Sequence, residues 1–181
     1  MKAKDVFEIV GGITLGKFAE KLVKDCFNGK LYAYCNADLA DWFHGSQPGT
    51  DACTITALSL LKGVTFVELA TALLGVSEDV SAVELSRLLI ERDYTMSFAQ
   101  IDATIEKTEC RKKVPPMFTR EEYSNLFFVE TGDKDSPVVV VDAYRLGSRW
   151  YLRPHRFWRN VSLNPGCNHL LVRNFKGFPT S

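Results

Sequence analysis

Four consecutive valines, Val138 to Val141, lie between the polar turn "TGDKDSP" and the tripeptide "DAY". Branched side chains suit a pleated strand and lose rotamer freedom in a helix. A strand built this way has no polar face to turn to water, so it must run through the middle of a sheet covered on both sides. The rest of the chain therefore has to supply partner strands and covering layers. Partner strands read directly from the C-terminal third: "NLFFVE" (125–130) before the turn, "RWYLRPHRFW" after it with a break expected at Pro154, and "CNHLLVRNF" (167–175) last.

The covering helices are expected upstream. "TFVELATALLG" opens on a Thr65 and Glu68 capping box and closes at Gly75. "SAVELSRLLIERDY" repeats the pattern with Ser81 and Glu84, and "SFAQIDATIEKTECRKK" starts a third helix at Ser97 with Gln100. Further upstream, Phe18, Leu22 and Val23 fall on one helical face after a break at Gly11-Gly12. Ile55, Leu58 and Leu61, followed by Gly63, describe a buried central helix beginning at Cys53. The expectation is one α+β domain over residues 1–181, with a helical half (about 1–114) packed on a mainly antiparallel sheet (about 117–178). A chain of 181 residues can bury a core without staples. The ending "GFPTS" fits a piece of a longer protein.

Charge narrows the partners. Lys+Arg and Asp+Glu both number 22, whereas a protein devoted to nucleic acid needs a surplus of cations. One segment departs from that balance: "YRLGSRWYLRPHRFWR" (144–159) holds five arginines among aromatic rings. It reads as a surface hairpin carried by buried rings, or as a site for an anion or an RNA strand. No apolar run reaches membrane-spanning length, and Asp5 and Glu8 interrupt the N-terminal apolar stretch that a signal peptide would need. Five cysteines (Cys26, Cys35, Cys53, Cys110, Cys167) with no C-x-x-C spacing fit neither a disulfide framework nor a zinc ribbon. The cytoplasm or another reducing compartment is expected rather than secretion, with no metal or cofactor.

The stretch "GSQPGTDACTITALSLLKG" (45–63) carries the candidate chemistry. A Gly- and Pro-broken loop delivers Cys53 to the start of the expected helix, where unpaired N–H groups and the dipole's positive end stabilise a thiolate. The Cys53 N–H and the Gln47 side-chain amide are candidate oxyanion donors. A small buried side chain is the competing reading for the same cysteine. For a base there are only His44, His155 and His169. If "VVVVD" and "HLLVRNF" pair antiparallel, Asp142 and His169 become neighbours at one edge of the sheet, an imidazole oriented by a carboxylate.

"GTDACTITALSLL", "VVVVDAYRLG" and "GCNHLLVRNF" together resemble the papain-like cysteine proteases, and in pattern especially the herpesvirus tegument-type deubiquitinases. The six-residue separation of Gln47 from Cys53 is similar to the oxyanion glutamine and nucleophile of papain-like enzymes. The resemblance spans much of Gly45 to Phe175 in strand order, with sparse identities. It implies a papain-like fold, Cys53 as nucleophile, Gln47 at the oxyanion and Asp142 as the acid. Tyr144 stands where the family carries its histidine, and a phenol with a pKa of about 10 is a poor base at neutral pH. Either His169 or His155 then replaces the imidazole, or the domain is a dead peptidase.

Three functions follow as expectations. The first is a cysteine hydrolase, a peptidase or isopeptidase for ubiquitin-like tails, using Cys53, His169, Asp142 and Gln47, with Tyr144, His155 and Trp150 at the substrate. The second is an inactive peptidase-fold domain that binds protein. The third is an RNA or anion binder acting through Arg145, Arg149, Trp150, Arg153 and Arg156.

Overall fold

The computed structural model describes residues 2–15, 32–33, 53–97, 100–101, 104–105, 123–147, 149–158 and 163–178. After a short 3-10 turn at Ala3–Asp5, the elements are β1 (Phe7–Leu15), β2 (Tyr32–Ala33), β3 (Cys53–Leu60), α1 (Phe66–Leu74), α2 (Ala82–Glu91), β4 (Ser124–Glu130), β5 (Val138–Leu146), β6 (Arg149–Arg156) and β7 (Asn168–Arg173). Gln100, Ile101, Thr104 and Ile105 are also helical, and Ser97 and Gln100 exchange the expected capping bonds. The α+β class holds. The strands form one open sheet in the order β1-β3-β7-β4-β5-β6-β2, antiparallel except where β4 meets β7 and β2 meets β6.

The segment expected to form the central helix is β3. Ile55, Ala57, Leu58 and Leu60 are buried, Thr54 is exposed, and Thr56 and Ser59 are half-buried. That near-alternation, with branched Thr and Ile at its start, suits a pleated strand better than a helix. β1 likewise replaces an expected helical stretch, with a register shift between Ile9 and Gly11 at the glycine pair. Strands from the first 60 residues therefore enter the same sheet as the C-terminal ones, and the division into a helical half and a sheet half does not hold. The helix expected through Phe18, Leu22 and Val23 lies outside the described residues.

Both helices are present; α1 closes its capping box, whereas in α2 Ser81 Oγ accepts from the Glu84 N–H but the Glu84 carboxylate accepts from Arg87 instead of closing the box. The Thr65 N–H (2.7 Å) and the Thr65 hydroxyl (2.8 Å) both donate to Glu68 Oε2 and hold the Glu68 carboxyl below the usual range, while the Glu68 N–H donates to Thr65 Oγ1 (3.3 Å). Gly75 closes α1 at φ 68°, a left-handed conformation that glycine adopts without a Cβ clash.

β5 is central, as the valine run requires. Val138 and Val140 face a core built on α1, α2 and Phe157, where Phe128 packs edge-on to the Phe157 ring at 5.9 Å. Val139 and Val141 face a second core under Met96, Ile101 and Ile105. All four valines are fully buried. β6 runs through Pro154 without the expected break. Proline is tolerated near a sheet's edge, and the described part of β2 flanks β6 only at Tyr151 and Leu152.

Candidate functional site

Strand order decides where the expected catalytic residues stand. β5 and β7 do not pair; β4 lies between them, parallel to β7 and antiparallel to β5. Asp142 is opposite Leu126, which is opposite Leu170, so Asp142 is about 10 Å from β7 across two strand spacings. His169 is one residue out of step, opposite Asn125. Successive residues alternate faces, so Asp142 is on the face that carries α1 and α2 while His169 is on the other. The expected edge-sharing pair is therefore not formed.

Cys53 is equally remote from that histidine. It pairs with Leu15 at one end of β3, whereas Ser59 is the β3 partner of His169. Six extended residues separate the two positions, about 20 Å. Cys53 opens a strand, so it has no helix N-terminus behind it. Gln47 lies outside the described residues. His169 itself is buried, at 2% exposure, with the Tyr123 ring 5.2 Å away. Burial pushes its pKa below the ordinary imidazole value, which leaves it neutral at pH 7.

The structure does bring Asp142 to a different histidine. His155 Nε2 lies 3.8 Å from Asp142 Oδ2, and the Ser124 hydroxyl donates to Asp142 Oδ1. The two ionisable side chains are 10% and 15% exposed, and the imidazole tilts against Phe66, the first residue of α1, at 5.4 Å. Cross-strand register accounts for the meeting: Val140 is opposite His155 and Asp142 opposite Arg153, so the acid and the imidazole are diagonal neighbours on one face. In this cluster the carboxylate stands between the hydroxyl and the imidazole. A nucleophile needs the base beside the hydroxyl, so the arrangement anchors a half-buried acid and activates no alcohol.

Two positions further along β5 the surface changes. Tyr144 and Tyr151 are direct cross-strand partners, their rings stacked at 5.7 Å and 15°. Arg153 lays its guanidinium over the Tyr144 ring, 5.0 Å from the centroid, and donates from Nη2 to the Tyr144 hydroxyl at 2.9 Å. Both tyrosines are half-buried and Arg153 is exposed. A second pair follows, with Arg156 over the Trp158 ring at 5.8 Å and Trp158 47% exposed.

Trp150, expected at the substrate, is instead buried in the second core, because its position in β6 faces away from the tyrosines. Ser124 and Tyr151 were not among the expected site residues. Tyr151 was findable, since folding the chain about Gly147-Ser148 as a two-residue turn places it opposite Tyr144. Ser124 had no comparable signal, because its meeting with Asp142 depends on the β4–β5 register.

Among the described residues no three His, Cys, Asp or Glu side chains are grouped to hold a metal ion, and no helix is long and apolar enough to cross a membrane. No family model, curated protein or solved structure matches the chain.

Proposed function

We propose that this chain is a protein-binding domain whose recognition surface is the outer part of the β5–β6 hairpin. The observation that carries the reading is the Tyr144–Tyr151 stack clasped by Arg153. Tyrosine, tryptophan and arginine dominate binding hot spots, and side chains already ordered in the free protein avoid an ordering cost of about 0.5–1.5 kcal/mol each. Exposed Leu146 and Trp158 lie on the same hairpin and its exit, and add apolar area. The papain-like resemblance gives Tyr144 the place of the family histidine, and in this reading the phenol serves recognition rather than proton transfer. Cysteine hydrolysis would need Cys53 beside an imidazole, and the register of β3 with β7 sets it about 20 Å along the strand from His169.

The test is selection of peptides from a displayed library on the immobilised chain, followed by solution affinities. Tyr144→Ala and Arg153→Ala should each weaken the selected peptides by about tenfold or more, the loss of one hot-spot side chain. Val83→Ala, on the exposed side of α2, should leave them unchanged. Hydrolase chemistry would displace the reading if iodoacetamide near pH 6 labels Cys53 far faster than the other four cysteines. An adduct with a ubiquitin-like electrophilic probe, lost in Cys53→Ala, would do the same.

A further inference from the structure

We infer that a proton at His155 regulates binding at this hairpin by switching the Tyr144–Arg153 clasp, with Asp142 as the shared partner; the inference rests on the protein-binding reading above. Asp142, Tyr144, Tyr151, Arg153 and His155 all stand on one face of the hairpin. Asp142 is directly opposite Arg153, a pairing that sets the two Cβ atoms about 5 Å apart, and diagonal to His155. Arg153 is nevertheless turned to Tyr144. Among the described residues, the group within ion-pair range of the Asp142 carboxylate that can take a positive charge is His155, at 3.8 Å. Both side chains are largely buried, so water screens their charges weakly. A carboxylate held this way needs a counter-charge, and its own face offers two, Arg153 opposite and His155 on the diagonal.

Which of the two serves depends on the proton. An imidazole takes up charge between about pH 5 and 8, whereas a guanidinium stays charged throughout. His155 Nδ1 is buried and meets no hydrogen-bond partner among the described residues. The neutral ring therefore turns its Nε2–H to the carboxylate, and Nδ1 receives the second proton. The new Nδ1–H gains no acceptor, so Asp142 alone holds the added charge. With that proton bound, the imidazolium balances Asp142 and Arg153 stays on the Tyr144 ring. Losing it leaves the carboxylate unbalanced, which draws the guanidinium opposite away from the phenol. Few other charges act here. β4 brings Ser124 and, at its exposed end, Glu130, while α1 brings Phe66, with the Glu68 carboxylate already held by Thr65. Val140 and Phe157 are apolar, and Arg145 and Arg156 lie on the opposite face.

NMR on the full chain across about pH 5 to 8 tests this. The Tyr144 ring resonances should shift with the same midpoint as the His155 ring. That shift should vanish in His155→Gln and in Asp142→Asn and persist in His169→Gln. Thermal unfolding at each pH confirms that the variants are folded. A histidine-free peptide selected on the immobilised chain should bind about fivefold tighter at the acid end of the range than at the alkaline end, and His155→Gln should remove the difference. Tyr144 resonances that stay still while His155 titrates overturn the inference, as does a shift that is unchanged in His155→Gln. If peptides bind through Tyr144 with equal affinity at both ends, the inference fails and the binding domain stands. If Tyr144 and His155 titrate together but no peptide binds through the hairpin, the proton-driven clasp stands and the binding reading fails.

Discussion

The two halves of β5 are one strand in two environments. Val138–Val141 lie between two dry cores, while Asp142, Tyr144 and Arg145 are only partly buried and Leu146 is exposed. Hydrogen bonding to β4 and β6 continues as far as Tyr144, so the backbone does not mark the change. Side chains do. Where both faces are covered, a residue contributes mainly the area it removes from water, about 1.5–3 kcal/mol for a valine side chain. Past Ala143, which is itself buried in the second core, a residue can change its chemistry at little cost to the fold. Recognition chemistry can therefore be varied at one end of a strand whose other end holds the sheet together.

Breaking the dry half should have the largest effect. Phe128 is fully buried beside the valines, and Phe128→Ala should cost about 3–5 kcal/mol in denaturant unfolding. A loss under about 1 kcal/mol would mean that this core is not the source of stability. The junction between the halves comes next. Asp142→Ala removes the carboxylate that the Ser124 hydroxyl and His155 Nε2 face, and leaving buried polar groups without a partner costs about 1–3 kcal/mol. Ser124→Ala together with Asp142→Ala should cost less than the sum of the two single changes, because both remove the same hydrogen bond.

How far this division could be read in advance varied with the range of the determining interactions. The valine run signalled a central strand because it has no polar face, and α1 carried its capping box and α2 its Ser81 cap within four residues. β3 was opaque. Ile55, Leu58 and Leu61 fit a helical stripe, while Thr54, Ile55, Thr56 and Ala57 fit alternation, and a short apolar run does not choose between them. The choice comes from partners more than a hundred residues away, such as Leu170 opposite Leu58. The insertion of β4 between β5 and β7 is equally non-local, and together with the register it separates Asp142 from His169. By contrast Tyr144 and Tyr151 are brought together by a hairpin, and counting outward from its turn recovers the pair.

The two histidines sharpen the comparison through pH. His169, buried on the face away from the helices, has a folded pKa lowered by desolvation from 6.5. Below 6.5 the unfolded chain takes up a proton that the folded chain does not, so acid favours unfolding. The contribution is fully present above 6.5 and is lost as pH falls through that value toward the lower folded pKa. Stability measured by denaturant titration should therefore fall on acidification in this window, and His169→Gln should flatten that part of the profile. An unchanged slope in the variant would assign the pH dependence elsewhere.

The smallest expected effect on stability belongs to the residue with the largest proposed effect on binding. Arg153 is exposed, and it meets Tyr144 through a hydrogen bond at 2.9 Å and a guanidinium over the ring. A hydrogen bond of this kind contributes about 0.5–1.5 kcal/mol net and an exposed cation–π contact about 0.5–1 kcal/mol. Ordering a long side chain opposes both by up to about 2 kcal/mol, so the terms nearly cancel. Arg153→Ala should shift the unfolding free energy by no more than about 0.5 kcal/mol, as surface substitutions usually do. Phe128→Ala, with its loss of several kcal/mol, gives the opposite limit. A loss of 2 kcal/mol or more in Arg153→Ala would make the clasp part of the fold's support and remove the distinction between the two halves of β5. A stability change within the smaller bound, together with lost peptide binding, would keep Val138–Val141 as scaffold and the hairpin beyond Asp142 as the reading surface.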